Sequence, residues 1–267
     1  MNRCLPYEDG AYRTPSATAS VLSRALPSLS FYLGLAPHFV RAARAAKDGR
    51  LGPVEFCQAS LGVLRALERT GVTVEVTGAE NFMGLGGPCV FVANHMSTLE
   101  TFVLPALTLP YREITFVVKE SLLRTPMFGH IMKALGAIPV GRTNPREDLR
   151  AVLEEGSRAL SRGTSLVVFP QATRTDRLEP SKFNTLGIKL ARRTGAPVIP
   201  VAIKSDAWGT GGFIKDFGKI DPSLPVLFSF GQPLSVEGRG TVEHEKVLEF
   251  IGEKLAKWGK GGLTAPP

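Results

Sequence analysis

Cysteine and histidine are scarce in this chain, three and four respectively among 267 residues. Cys4, Cys57 and Cys89 are odd in number and far apart, so neither a disulfide framework nor a metal knuckle is indicated. His38, His130 and His244 are isolated, which leaves no cluster of ligands for zinc hydrolysis. No G-x-S-x-G segment is present to form the nucleophile elbow of a serine hydrolase. No run approaches the roughly eighteen uninterrupted apolar residues of a membrane span. Residues 1–19 carry Glu8 and Asp9 and lack the charged-then-apolar order of a signal peptide. They are expected to form a loose tail. So few cysteines make a reducing, cytosolic compartment the default.

Acidic residues are also in deficit, 24 against 32 basic ones, for a formal charge of +8. Such a surplus suits anionic partners: phosphorylated substrates, anionic lipid or nucleic acid. Nucleic-acid binding predicts basic residues clustered with stacking aromatics. Here the basic residues are spread out, apart from the N-terminal region, and the aromatics lie mostly in apolar strands. No nucleic-acid partner is expected. The length allows one sizeable core with a small appendage.

Residues 20–70 read as an N-terminal helical segment. Leu22, Leu26, Leu29, Phe31, Tyr32, Leu33, Leu35, Phe39 and Val40 are interleaved with Arg24, Arg41, Arg44 and Lys47. Pro27 and Pro37 should divide this region into short pieces. The mixture suits a segment lying on a membrane interface, or else a helical hairpin packed on the core with its arginines solvated. Pro53 opens a further helix that Gly71 ends.

From residue 71 to 258 strands and helices alternate, which argues for one α/β domain with a mixed, largely parallel sheet flanked by helices. The apolar run Val90–Ala93 reads as a buried strand of a parallel sheet, Ser165–Phe169 as another buried strand and Pro197–Ile203 as a further apolar strand. Gly84, Gly86 and Gly87 lead into a strand rather than out of one into a helix, so a dinucleotide fingerprint is not indicated. Thr241 begins a closing amphipathic helix, and residues 259–267 read as a second flexible tail.

The chain is organised around Val90-Phe91-Val92-Ala93-Asn94-His95-Met96-Ser97-Thr98-Leu99-Glu100. The strand delivers Asn94 and His95 to its carboxyl end, where α/β proteins place their sites. Inside one helix, His95 and Glu100 would diverge. With His95 in the loop before a helix, its ring can fold back on Glu100, and a carboxylate on one ring nitrogen leaves the other to act as a base. Ser97-Thr98-Leu99-Glu100 equally fits a capping box, with Ser97 as N-cap.

Four polar blocks stand at strand ends in order: Asn94-His95-x4-Glu100; Gly141-Arg142; Phe169-Pro170-Gln171-Ala172-Thr173-Arg174; and Val198-Ile199-Pro200-Val201. Together they resemble the glycerolipid acyltransferase superfamily, closest to the 1-acyl-sn-glycerol-3-phosphate (lysophosphatidic acid) acyltransferases, over roughly residues 70–235. The resemblance implies transfer of a fatty acyl group from acyl-CoA or acyl carrier protein to a lysophospholipid hydroxyl. No cofactor, metal or covalent acyl-enzyme is implied. His95 would be the general base and Glu100 its partner. Arg142 and Arg174 would hold the acceptor phosphate, with Asn94, Gln171 and Thr173 as supporting contacts. The expected location is peripheral, on the cytoplasmic side of the cell membrane.

The third block commonly reads Phe-Pro-Glu-Gly-Thr-Arg in this family, so Gln171 and Ala172 are departures that bear on the acceptor. Another lipid acceptor, such as lyso-ornithine lipid or a glycolipid, stays open, as does a non-catalytic phospholipid-binding relative. On this reading His95→Ala abolishes transfer and Glu100→Gln is milder.

Overall fold

The computed structural model describes residues 5–16, 21–171, 173–212 and 215–260. In chain order these form strand β1 (Tyr12–Arg13), helices α1 (Val21–Ala25), α2 (Pro27–Lys47) and α3 (Pro53–Glu68), strand β2 (Val74–Thr77), helix α4 (Glu80–Met83) and strand β3 (Val90–Ala93). Helix α5 (Leu99–Thr108), strand β4 (Ile114–Lys119), a 3-10 turn (Glu120–Arg124), helix α6 (Phe128–Ala134), strand β5 (Ile138–Val140) and helix α7 (Pro145–Ser161) follow. The chain continues through strand β6 (Ser165–Val168), a 3-10 turn (Pro180–Lys182), helix α8 (Leu186–Thr194), strands β7 (Val198–Lys204) and β8 (Val226–Phe230), and helix α9 (Thr241–Lys257).

One eight-stranded sheet has the order β1-β2-β8-β7-β3-β6-β4-β5. β2–β8, β7–β3, β3–β6, β6–β4 and β4–β5 pair in parallel, while β1–β2 and β7–β8 are antiparallel. This is the mixed, largely parallel α/β sheet that the alternating pattern implies. Its central strands are almost wholly apolar, with Ser165 and Lys204 at their ends, because both faces are covered. Val90 and Val92 point one way with Leu166, Val168, Val198 and Ala202, into a core shared with Val152 of α7, Ile188 of α8 and Ile251 of α9. Phe91 and Ala93 point the other way, with Val167, Ile199 and Ile203, towards Phe31 of α2, Leu64 of α3 and Leu104 of α5. The two-residue side-chain period of a strand produces this division. At Gly187 a Cβ would come within 2.7 Å of Val92 Cγ2, so the bare backbone lets α8 lie against β3.

Three expectations are corrected. The described part of the N-terminal tail, residues 5–16, is packed rather than loose; residues 1–4 and 17–19 lie outside the described set. Leu5 is buried, β1 adds an antiparallel edge strand to β2, and the buried Glu68 carboxylate accepts from Tyr12 Oη at 2.6 Å and Thr14 Oγ1 at 2.8 Å.

Pro37 does not divide the N-terminal segment: Pro27 starts α2 at its first turn, and the helix runs through Pro37 to Lys47. Pro37 cannot donate to the carbonyl of Leu33 four residues earlier, and Leu33 is on the exposed face of the helix, at 67% exposure. At the C-terminal end, residues 259–260 are tied down: the Lys260 ammonium lies 2.5 Å from an Asp206 oxygen whose carboxylate also pairs with Lys204. Residues 261–267 of that expected tail lie outside the described set.

Helices α2 and α3 form a hairpin packed into the core, and α2 also keeps an outer apolar stripe. Leu26, Leu29 and Leu33, at helical spacing, are 52%, 55% and 67% exposed, and Arg41, Arg44 and Lys47 are exposed further along the helix.

Candidate active site

Because the central strands are parallel, β3, β6, β4, β5 and β7 all end on one edge of the sheet. Asn94, the first residue past β3, is buried, and its side chain extends the ladder to β7. Its Oδ1 accepts from Ile203 N–H and its Nδ2 donates to Ile203 C=O, both at 2.8 Å. Gln171, just past β6, is likewise buried: Oε1 accepts the His95 N–H at 2.9 Å, and Nε2 donates to the Arg177 carbonyl at 3.2 Å. The His95 carbonyl accepts from Thr175 N–H at 2.9 Å.

Asn94 and Gln171, expected as supporting contacts, each spend side-chain hydrogen bonds on tying the end of β3 and the His95 loop to neighbouring segments. A glutamate at 171 would lack the donor that meets Arg177.

Glu100 is fully buried, and its two oxygens have separate tasks. Oε1 accepts from Met96 N–H and Ser97 N–H, both at 2.8 Å, and from Ser205 Oγ at 2.7 Å. Oε2 faces His95 Nδ1 at 3.6 Å, and neither atom has a hydrogen bond to another described residue. The contact is longer than a hydrogen bond, as catalytic pairs commonly are without substrate. Ser97 Oγ accepts from Leu99 N–H at 3.1 Å as α5 begins. Capping and His-facing roles therefore coexist, one on each oxygen. Burial pushes the Glu100 carboxyl upward, but the His95 ring, Ser205 and the Ser97 N–H outweigh it and hold the group below the usual carboxylate range. The His95 ring stacks on Phe169, with centroids 4.3 Å apart and planes 22° from parallel.

Arg174 donates to Thr98 Oγ1 at the start of α5 and pairs with Asp216 Oδ1. Thr173 beside it is exposed, and Ala172 lies outside the described residues. Arg142 has φ of 63°, a left-handed conformation uncommon for a non-glycine residue. Two bonds hold it there, since Gly141 N–H and Arg142 N–H donate to the Asp148 carboxylate at 2.8 and 2.9 Å. His95, Glu100, Asn94, Gln171 and Arg174 thus come together around β3 and β6. Arg142 stands at the end of β5, two strands from β6, or about 10 Å at the usual spacing.

The acyltransferase family model matches residues 73–204, a span that includes every residue of this constellation except Ser205 and Asp216. The 1-acyl-sn-glycerol-3-phosphate acyltransferase of Pseudomonas aeruginosa is 31% identical over 204 residues, covering 76% of this chain and 73% of that protein. This chain belongs to the acyltransferase family. A chloroplastic 1-acyl-sn-glycerol-3-phosphate acyltransferase from Brassica napus is 30% identical over 137 residues, covering 51% of this chain and 38% of its own. The acyltransferase fold is shared with the crystal structure of the 1-acyl-sn-glycerophosphate acyltransferase PlsC from Thermotoga maritima. That match has a TM-score of 0.66 at 19% identity, and covers 89% of this chain and 97% of the other.

Four neighbours of the acyltransferase site residues were not singled out from the sequence: Thr98 and Phe169, which lie inside the first and third blocks, and Ser205 and Asp216, which lie outside all four. Of the last two, Ser205 had a signal as a small polar residue directly after a strand, and Asp216 had none. Among the described residues no group of three or more His, Cys, Asp or Glu side chains is placed to hold a metal ion. Cys89, at the entry to β3, is not a competing nucleophile: burial pushes its thiol up to about 11, so it stays protonated near neutrality. What remains is an imidazole facing a buried carboxylate, beside a partly buried guanidinium.

Proposed function

We propose that this acyltransferase moves a fatty acyl group from an acyl thioester, acyl-CoA or acyl carrier protein, to the free hydroxyl of 1-acyl-sn-glycerol-3-phosphate, giving phosphatidic acid. His95 takes the hydroxyl proton on the ring nitrogen not facing Glu100. The freed oxygen attacks the thioester carbonyl, and an oxyanion develops. Collapse of that intermediate forms the ester and breaks the carbon–sulfur bond, and the imidazolium returns its proton to the departing thiolate. Glu100 keeps Nδ1 protonated and stabilises the imidazolium.

The observation that carries this reading is the division of labour in Glu100: one oxygen locks the loop while the other waits for His95. Arg174 is the phosphate ligand, since its planar fork matches phosphate oxygens. Arg142, two strands along, reaches towards the same headgroup from the far side. The names of the relatives support this acceptor.

The enzyme works at a membrane surface, on the cytoplasmic side. Support comes from the Leu26–Leu29–Leu33 stripe of α2, with Arg41, Arg44 and Lys47 exposed beyond it, which suits acyl chains and anionic headgroups together. No helix among the described residues is long and apolar enough to cross a membrane.

The test is thioester consumption by purified protein, crossed over a panel of lysolipids and both donor types. Lysophosphatidic acid should be the preferred acceptor. Losing a charge-assisted bond costs about 1.5–3 kcal/mol, so Arg174→Ala should raise the acceptor KM roughly ten- to a hundredfold and leave the donor KM unmoved. Equal activity on a phosphate-free monoacylglycerol would overturn the phosphate assignment.

A further inference from the structure

The guanidinium read above as the phosphate ligand already holds an anion. Arg174 donates to Thr98 Oγ1 and to Asp216 Oδ1, and Thr98 Oγ1 lies 3.5 Å from that same Asp216 oxygen. An anionic oxygen bonded by one guanidinium and one hydroxyl is the environment that a phosphate oxygen of the acceptor would take.

Asp216 is partly exposed, and its neighbours in the chain are well anchored. It belongs to the connection between β7 and β8, which several contacts anchor. Trp208 pairs with Ile220 in an isolated bridge, and Gly209 N–H donates to the Lys219 carbonyl at 2.9 Å. Gly218 packs so tightly that a Cβ would lie 1.8 Å from the Gly209 carbonyl oxygen. Two bonds strap the same segment to α2: Tyr32 Oη donates to the Gly218 carbonyl at 2.5 Å, and Ile220 N–H donates to Ser28 Oγ at 3.0 Å. Phe217, next to Asp216, rests 6.0 Å from the Tyr32 ring.

We infer that Asp216 is an internal competitor for the acceptor phosphate, a specificity-determining residue whose carboxylate occupies Arg174 until a phosphate displaces it. Two anions sharing one guanidinium repel each other. The apparent affinity for acceptor is therefore the intrinsic affinity reduced by the fraction of molecules in which Arg174 is released. A dianionic phosphomonoester displaces the carboxylate more effectively than a neutral or singly charged headgroup, so the pair discriminates among acceptors. Between turnovers it also keeps the arginine aimed at the His95 loop. The inference rests on the reading of Arg174 as the phosphate ligand.

Asp216→Asn removes the charge and keeps the shape. The acceptor KM for lysophosphatidic acid should fall about three- to tenfold, and the inhibition constant of orthophosphate should fall with it, while the donor KM stays put. Asp216→Ser should move both constants the same way, guarding against a local effect of one amide. An acceptor KM that is unchanged or raised in both variants overturns the competitor, because a merely positioning carboxylate would give that result. Arg174→Ala separates the two readings. If it leaves the acceptor KM unchanged, the phosphate-ligand reading itself fails. If it raises the acceptor KM while the Asp216 variants do not lower theirs, only the competitor fails.

Discussion

Glu100→Gln replaces one carboxylate oxygen by an amide nitrogen in a side chain whose two ends face different partners. Oε1 sits among three donors: Met96 N–H, Ser97 N–H and Ser205 Oγ. An amide NH2 turned towards two backbone N–H groups would set donor against donor, so the glutamine must keep its oxygen there. Its nitrogen is then forced to face His95 Nδ1, 3.6 Å away in the wild type. An N–H in that place donates to Nδ1, which moves the ring proton to the other nitrogen, and that nitrogen can no longer take a proton from the hydroxyl.

From the sequence this substitution reads as milder than His95→Ala; the geometry makes the two nearly equal. General-base catalysis contributes roughly 10²–10⁴-fold, and both variants should lose about that much in kcat, measured by thiol release under saturating donor and acceptor. The double variant should be no slower than either single one, since residues acting as a unit are not additive. Glu100→Gln turning over within threefold of wild type, beside an inactive His95→Ala, would refute the tautomer argument and leave Glu100 a cap alone.

The same carboxylate should make stability depend on pH. Its folded value lies below that of the unfolded chain, about 4.3, so its contribution is complete above that value and is lost as pH falls through the lower, folded one. The stability gap between wild type and Glu100→Gln, from denaturant melts, should narrow from about pH 5 downward; a gap that stays flat or widens contradicts this. Asn94→Ala leaves both Ile203 backbone groups without the partners they have now. It should lower stability by about 2–4 kcal/mol and leave the acceptor KM of the folded fraction unmoved, as a ladder residue would and a substrate ligand would not. Leu29→Ser with Leu33→Ser removes about 3 kcal/mol of burial at a membrane surface. Binding to anionic vesicles in a flotation assay should weaken roughly a hundredfold, and unaltered binding would remove the α2 stripe as the anchor.

Much of this protein is local enough to read along the chain. Apolar runs at 90–93, 166–168 and 198–203 mark strands covered on both faces. Polar residues directly after them mark the edge where a site forms. His95 and Glu100 could be paired because only a short loop and one helical turn separate them, and that distance is encoded in spacing.

Side-chain assignments that depend on which strands become neighbours were out of reach. Asn94 and Ile203 are 109 positions apart, and Asn94 is a ladder residue only because β7 lies beside β3. Gln171 reaches the His95 backbone because β6 flanks β3 on the other side. Ser205 and Asp216 enter the site from a connection that carries no motif. The two-residue β1 lacks the length for periodicity to register, and it is a strand only because β2 offers an open edge. Pro37 is tolerated within α2, where Leu33, whose carbonyl it cannot bond, is on the exposed face, and burial is a property of the whole fold. Periodicity and spacing are local, and so the sequence alone determined most of the elements and the pairing of His95 with Glu100. Strand order brings distant residues within hydrogen-bonding range, so only the tertiary structure decided which polar side chains hold the site together and which are left to meet a substrate.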